Sequence, residues 1–310
     1  MQNTTQRNDV RIVGSAHSGR RGDFRARLFL AKRRYSAPQN TLWEVATIPA
    51  DGPTVAVRFM GLAIVPGGLM AVAGSKDRAF LATFNQNLKQ TGWHELSGAR
   101  DPHGLVVEDN QLWVVSSGTN EVIRYEMSAS GPSAAQTVFR HPDTELQHFN
   151  GLARHGGMLV LSAFGRSAEA VRRTSFTGYL IDIACGALIR VGLDQPHSPY
   201  SFEGSLLFCE SQTSFLWHGD RHPVRLGGYL RGVVVTADSV VHVAASAPRP
   251  PRDLLTDDRD DAAIWSLTPD GNVLACDKLK GVGPEVYDLV TLPHGWLSPK
   301  FALTKTTNHC

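Results

Sequence analysis

A motif written six times constrains this chain more than anything else in it. The copies are VRFMGLAIVPGGLMAVAG (57–74), RDPHGLVVEDNQLWVVSSG (100–118), QHFNGLARHGGMLVLSAFG (147–165), DQPHSPYSFEGSLLFCESQ (194–212), GYLRGVVVTADSVVHVAAS (228–246) and PEVYDLVTLPHGWLSPKFA (284–302). Each opens on polar residues and reaches a small or turn-forming residue at one matched position: Gly61, Gly104, Gly151, Ser198, Gly232 or Asp288. An apolar run, a tight turn and a second apolar run follow, which is a hairpin signal.

Two further strands complete each unit. AFLATFN, EVIRYEM, GYLIDIA, SFLWHG and AIWSLTP read as third strands, and WHELS, QTVFR, ALIRVGL, PVRLGG and NVLACDK as fourth strands. Four strands per unit, recurring every roughly 34–56 residues, is the period of a β-propeller blade. The fold expected is all-β: a six-bladed β-propeller over residues 21–310, one domain, with a flexible segment at 1–20. The sixth unit runs out after two strands, so ARLFLAKRR (26–34) and TLWEVATIP (41–49) should complete it and close the ring by pairing the chain's ends. Small residues before every first strand suit the crowding of inner strands at the axis.

Composition excludes several classes. With 42% hydrophobic and 19% charged residues the chain can build a sizeable core, and a formal charge of +2 does not imply a nucleic-acid partner. The basic run Arg20–Arg34 reads as a solvated edge. No apolar run approaches the length of a membrane span and the N-terminus lacks an apolar signal core, so neither membrane nor secretion is expected. Cys185, Cys209, Cys276 and Cys310 form no C-x-x-C pair and read as reduced structural thiols of a cytoplasmic protein.

Candidate function gathers at the hub. Just before the small residue stand Met60, His103, Asn150, His197, Arg231 and Tyr287; two positions earlier stand Arg58, Asp101, His148, Gln195, Tyr229 and Glu285. Residues two apart on a strand share a face, so both columns should cluster at the mouth where first strands begin. The long connections 164–178 and 246–261 belong to that mouth and could act as binding loops or lids. Of the other histidines, His141, His155, His218, His222, His294 and His309 read as surface residues. No G-x-S-x-G, zinc-finger spacing or phosphate loop occurs, adjacent Ser198 and His197 should face opposite ways, and no rim patch is legible. Three chemistries stay open: imidazole and carboxylate acid–base work, a metal held by His103, His148 and His197 with Asp101 or Glu285, and ligand binding without reaction.

With these residues in view, the chain resembles six-bladed propellers of the strictosidine-synthase and gluconolactonase type. HFNGL (148–152) and GYLIDIACGALIRVGLDQPHSP (178–199) are more specifically similar to a bacterial propeller family of unknown function whose members carry H-x-N-G and P-H-S-P. Gluconolactonase-like enzymes hold a divalent cation with a Glu, two Asn and an Asp. This chain offers Glu285, Asn150 and Asp101, with histidines in place of the second asparagine. Strictosidine synthase is similar in using a metal-free pocket with a carboxylate acid/base, a role the resemblance gives to Glu285.

The function expected is a cytoplasmic small-molecule enzyme of secondary metabolism, lyase or synthase in type, without a cofactor and without nucleic-acid or membrane partners. Its concrete form is a Pictet–Spengler-like condensation of an amine with an aldehyde on an anionic substrate. Glu285 would shuttle the proton, assisted by His103, His148, His197 and Asp101. Arg58 and Arg231 would hold the anion, with Asn150, Tyr287, Tyr229 and Gln195 lining the site. The alternatives are a metal-assisted hydrolase or lactonase, and a ligand-binding propeller without chemistry.

Overall fold

The computed structural model describes residues 10–18, 25–34, 42–48, 58–143, 147–166, 176–247, 261–296 and 304–306. They form six antiparallel sheets, five of four strands and one of five. The innermost strands are Arg58–Val65, Pro102–Glu108, Phe149–His155, Pro196–Phe202, Tyr229–Val235 and Glu285–Thr291. Each touches the next, and the last touches the first, so the sheets close into a six-bladed propeller. No α-helix occurs among the described residues, and hence none able to cross a membrane.

The core lies between blades. Six apolar clusters fill the six seams. Phe149, Leu152, Leu159 and Leu161 of the third blade meet Val115 and Val122 of the second. Phe59, Leu62 and Phe80 of the first meet Val13, Leu28 and Leu30 of the sixth. Each side chain fully buried in this way contributes about 1.5–3 kcal/mol.

Closure differs from the sequence expectation. The C-terminal region supplies the innermost strand of the sixth blade, Glu285–Thr291, but not the strand next to it. Three N-terminal strands follow outward, Val10–Ser18, Arg25–Arg34 and Leu42–Ile48, and Thr304–Thr306 adds a fifth at the edge. Val10–Ser18, expected within a flexible segment, is therefore a central strand paired on both sides. Its polar residues hid it, because Ile12 and Val13 are adjacent and both buried and no period-two alternation marks the segment. Residues 1–9 and 297–303, and the central parts of the two long connections (167–175 and 248–260), lie outside the described residues, and the lid expectation lies there with them.

The thiols also depart from expectation. Cys276, half-buried on an outer strand, is disulfide-bonded, while Cys185 is free in an exposed turn and Cys209 is free in the core. The case for a cytoplasm built on four reduced cysteines falls with this. The outer strand Ala187–Leu193 leaves Leu188 and Val191 each 60% exposed, an apolar rim that the sequence did not show.

Candidate functional site

Every innermost strand carries a register break at the start of the motif. The breaks fall at Phe59/Leu62, Pro102/Leu105, Phe149/Gly151, His197/Tyr200 and Arg231/Val233, and in the sixth blade the pairing skips Tyr287. A β-bulge bends the strand and re-aims one side chain. Here it falls in all six blades on the residue before the small one, or on the small residue itself. The small residues are needed because the backbones meet: a Cβ on Gly61 would lie 2.5 Å from the His103 carbonyl oxygen, and one on Gly151 would lie 2.4 Å from Pro199.

Three successive blades repeat one further device. Asp101, His148 and Gln195 adopt left-handed backbone with φ of 45°, 49° and 55°. Each turns its carbonyl oxygen back to accept a hydrogen bond from the side chain two residues on: His103 Nδ1 at 2.9 Å, Asn150 Nδ2 at 3.2 Å and His197 Nδ1 at 3.1 Å. Left-handed non-glycine residues store strain and concentrate at functional sites. Here it fixes the orientation of two imidazoles and one amide.

The two columns interlock into a belt of rings around the axis. His103 meets His148 with ring centroids 5.0 Å apart, and His148 meets Phe164 at 4.4 Å. Phe164 meets His197 at 5.0 Å, and His197 meets Tyr229 at 5.6 Å. The Arg231 guanidinium carbon then lies 4.9 Å from the Tyr229 ring and 4.4 Å from the Tyr287 ring. Behind the belt, Tyr229 donates to Gln195 Oε1 at 2.6 Å and Tyr287 donates to Glu285 Oε2 at 2.7 Å.

A cavity of about 380 Å³ lies on one side of this belt. All six first-column residues, Met60, His103, Asn150, His197, Arg231 and Tyr287, line it, and its wall then follows the inner strands toward their ends. The waist is apolar, with Leu62, Leu105, Leu152, Val233 and Leu289, and the far end reaches Arg154 and exposed Ser201. The chamber thus extends toward the hairpin-turn mouth, not the mouth of the long connections. Strict alternation does not survive the bulges, which is why the sequence reading placed both columns on one surface.

Second-column residues stand off the cavity wall. Glu285 sits behind the belt, accepting from Tyr287 and lying 3.9 Å from Arg231. Gln195 is buried under Tyr229, and Asp101 serves His103 through its carbonyl. Arg58 is exposed at its strand's start and does not line the cavity, so the two arginines do not flank one anion. Asn150 lines the wall, but its Oδ1 accepts from Ser162 at 2.7 Å and its Nδ2 is given to His148.

The belt's electrostatics follow from burial. Desolvation holds His103 below the ordinary imidazole value; Asp101 opposes this, and Arg231 and Arg58 add to it. His197 is held well below by desolvation, then by Arg231 and His148. Both imidazoles are therefore neutral near pH 7, with the proton on Nδ1. In His197 that proton is shared with Ser211 Oγ at 2.6 Å, whose own hydroxyl is spent on the Leu230 carbonyl at 2.5 Å. Each Nε2 is left as an acceptor. Arg231 is 5% exposed, and its Nε and Nη1 have no hydrogen-bond partner among the described residues. An unsatisfied buried guanidinium on a cavity wall is a seat for an anion.

A metal does not fit this set. Among the described residues no group of three or more His, Cys, Asp or Glu is arranged to hold an ion, and Phe164 stands between His148 and His197. The sequence reading missed Phe164, Ser162, Ser211 and Asp288 as parts of the site. The first three lie outside the inner strands, and Asp288 was read only as a small-residue substitute.

Residues 88–299 match the family model described as Domain of unknown function (DUF4915). The chain belongs to this family. No curated protein matches the DUF4915 chain. Its fold is similar to that of a protein of unknown function from Bacteroides caccae, with TM-score 0.60, 9% identity, and 93% of this chain and 100% of that one covered. It is also similar to the calcium-binding protein regucalcin from Agrobacterium tumefaciens str. C58, with TM-score 0.53, 16% identity, and 72% and 75% covered. A third is a protein of Bacteroides fragilis NCTC 9343, provisionally assigned as a 6-phosphogluconolactonase, with TM-score 0.54, 11% identity, and 94% and 100% covered. At such identities the likeness carries the fold alone, and it agrees with the expected resemblance to a propeller family of unknown function.

Proposed function

We propose that this propeller is a small-molecule enzyme whose reaction chamber is the central cavity, working by imidazole-assisted proton transfer on an anionic substrate. One observation carries the reading: a buried guanidinium with two nitrogens that have no hydrogen-bond partner among the described residues, on the same wall as two imidazoles held below their ordinary value. Arg231 would hold the anion, His103 or His197 would accept a proton, and the apolar waist would exclude water from the transfer. A cavity of about 380 Å³ suits a ligand at the small end of the usual range.

The condensation implied by resemblance to strictosidine synthase needs a carboxylate to shuttle the proton. Glu285 is engaged by Tyr287 and lies beside Arg231, so acid–base chemistry without a named bond is the reading adopted. A second reading, hydrolysis of an anionic lactone, is favoured by the same seat and by the shape shared with the Bacteroides fragilis protein. There an imidazole would take a proton from the attacking water. Both readings are tested by screening anionic lactones and amine–aldehyde pairs against wild type and Arg231→Met. Turnover lost in the variant is expected, and turnover equal in both proteins would remove Arg231 from the site.

A further inference from the structure

We propose that Asp288 is a further catalytic residue of this cavity, the carboxyl that exchanges a proton with an anion seated on Arg231. The proposal rests on the reading of Arg231 given above. Five blades place glycine or serine at the crowded small position, and the sixth places a carboxylic acid there, on the cavity wall. Its backbone lies against the fifth blade, a Cβ on Gly232, next to Arg231, falling 3.0 Å from the Asp288 Cα, and Tyr287, next to Asp288, stacks on Arg231; the carboxyl itself turns toward the first blade. The carboxyl is oriented by two backbone donors, Leu62 N–H to Oδ2 at 2.8 Å and Leu289 N–H to Oδ1 at 2.9 Å. A carboxylate accepts at about four lone-pair sites, so two such bonds leave capacity for a proton and a ligand.

The charged and titratable groups around it are few. Its own strand carries Glu285 and Tyr287, the fifth blade Arg231, and the first blade Arg58 at its exposed end. Opposite Asp288 in register on the neighbouring strand is Ser15, which does not titrate. His103 and His197 share the cavity wall and are held below their ordinary values, and Arg154 stands at the far end. Burial raises Asp288 to about 7, against the pull of its two N–H donors. An anion arriving beside a charged Asp288 meets repulsion; beside the protonated acid it meets a donor. One proton is taken from solvent as the anion binds and is held on Asp288, from where it can be passed to the ligand.

Benzoate is the probe, titrated into the full-length protein between pH 6 and pH 8. Affinity should fall about tenfold across that range in wild type, the linkage expected for one group titrating near pH 7. In Asp288→Asn it should stay flat. A flat wild-type profile, or a tenfold fall retained in Asp288→Asn, would overturn the role of Asp288 and leave Arg231 as the seat. Wild type that binds no benzoate would instead overturn the Arg231 reading. Should the variant not fold, carboxyl-carbon NMR on wild type labelled at aspartate decides: titration of Asp288 near pH 7 supports the assignment, and titration in the ordinary carboxylate range removes it.

Discussion

Arg231 and Tyr287 meet across the seam between the fifth and sixth blades, the guanidinium carbon 4.4 Å from the ring centroid. Tyr229 covers the other side at 4.9 Å, so the cation is held between two aromatic rings. Glu285 lies 3.9 Å from Nη1 and accepts the Tyr287 hydroxyl. The two rings hold the guanidinium in a fixed plane; the carboxylate balances its charge without taking up its hydrogen-bonding capacity.

Removing that charge alone should be costly. Arg231→Met leaves Glu285 buried beside an apolar side chain, and breaking a buried pair in this way costs about 3–5 kcal/mol. Arg231→Met combined with Glu285→Gln should recover most of the loss. Urea midpoints for the two single variants and the double variant give the coupling. Additive losses would mean that the two groups do not interact.

Phe164 keeps the imidazoles of His148 and His197 apart and dry. Phe164→Ala removes a fully buried ring and should cost about 3–5 kcal/mol. Water entering the space should also relieve the desolvation that depresses His197. Histidine NMR titration should then show His197 moving toward the ordinary value. An unmoved His197 would place the cause of its depression elsewhere.

The two imidazoles and Asp288 give opposite pH slopes. His103 and His197 have depressed folded-state values, so their contribution is fully present above the unfolded value of about 6.5 and is lost as pH falls below it. Asp288 has a raised folded-state value, so its contribution is present at low pH and lost as pH rises through about 7. Thermal midpoints from pH 5 to pH 8 should fall less steeply at the acid end in His197→Gln. They should fall less at the neutral end in Asp288→Asn. Parallel profiles in all three proteins would contradict both assignments.

The cavity's direction predicts where a ligand enters. Asn150 at the belt and Arg154 at the far end are separated by four residues of strand, about 13 Å. Ala153→Trp near the hairpin-turn mouth should weaken benzoate binding at least tenfold. Arg58→Ala, at the exposed opposite end, should change it less than twofold. The reverse order would place the entrance at the mouth of the long connections.

The blade count and the hub strands were legible because both rest on local signals. Turn residues between apolar runs recur at a fixed place, and Gly61, Gly104 and Gly151 mark close approach wherever they occur. Val10–Ser18 was not legible, since a strand paired on both sides and buried on both faces carries no alternation. The Cys276 disulfide was equally invisible to spacing.

At the hub, the sequence determined which residue types arrive, because each is tied to its motif by chain position. Only the tertiary structure decided where they point. A bulge in every inner strand shifts the pleat by one residue, and left-handed backbone at Asp101, His148 and Gln195 turns three carbonyls onto neighbouring side chains. Those departures arise from six backbones crowding one axis, a constraint between blades that no single segment carries. It sends Arg231 and Asp288 to the cavity wall and leaves Glu285 behind it.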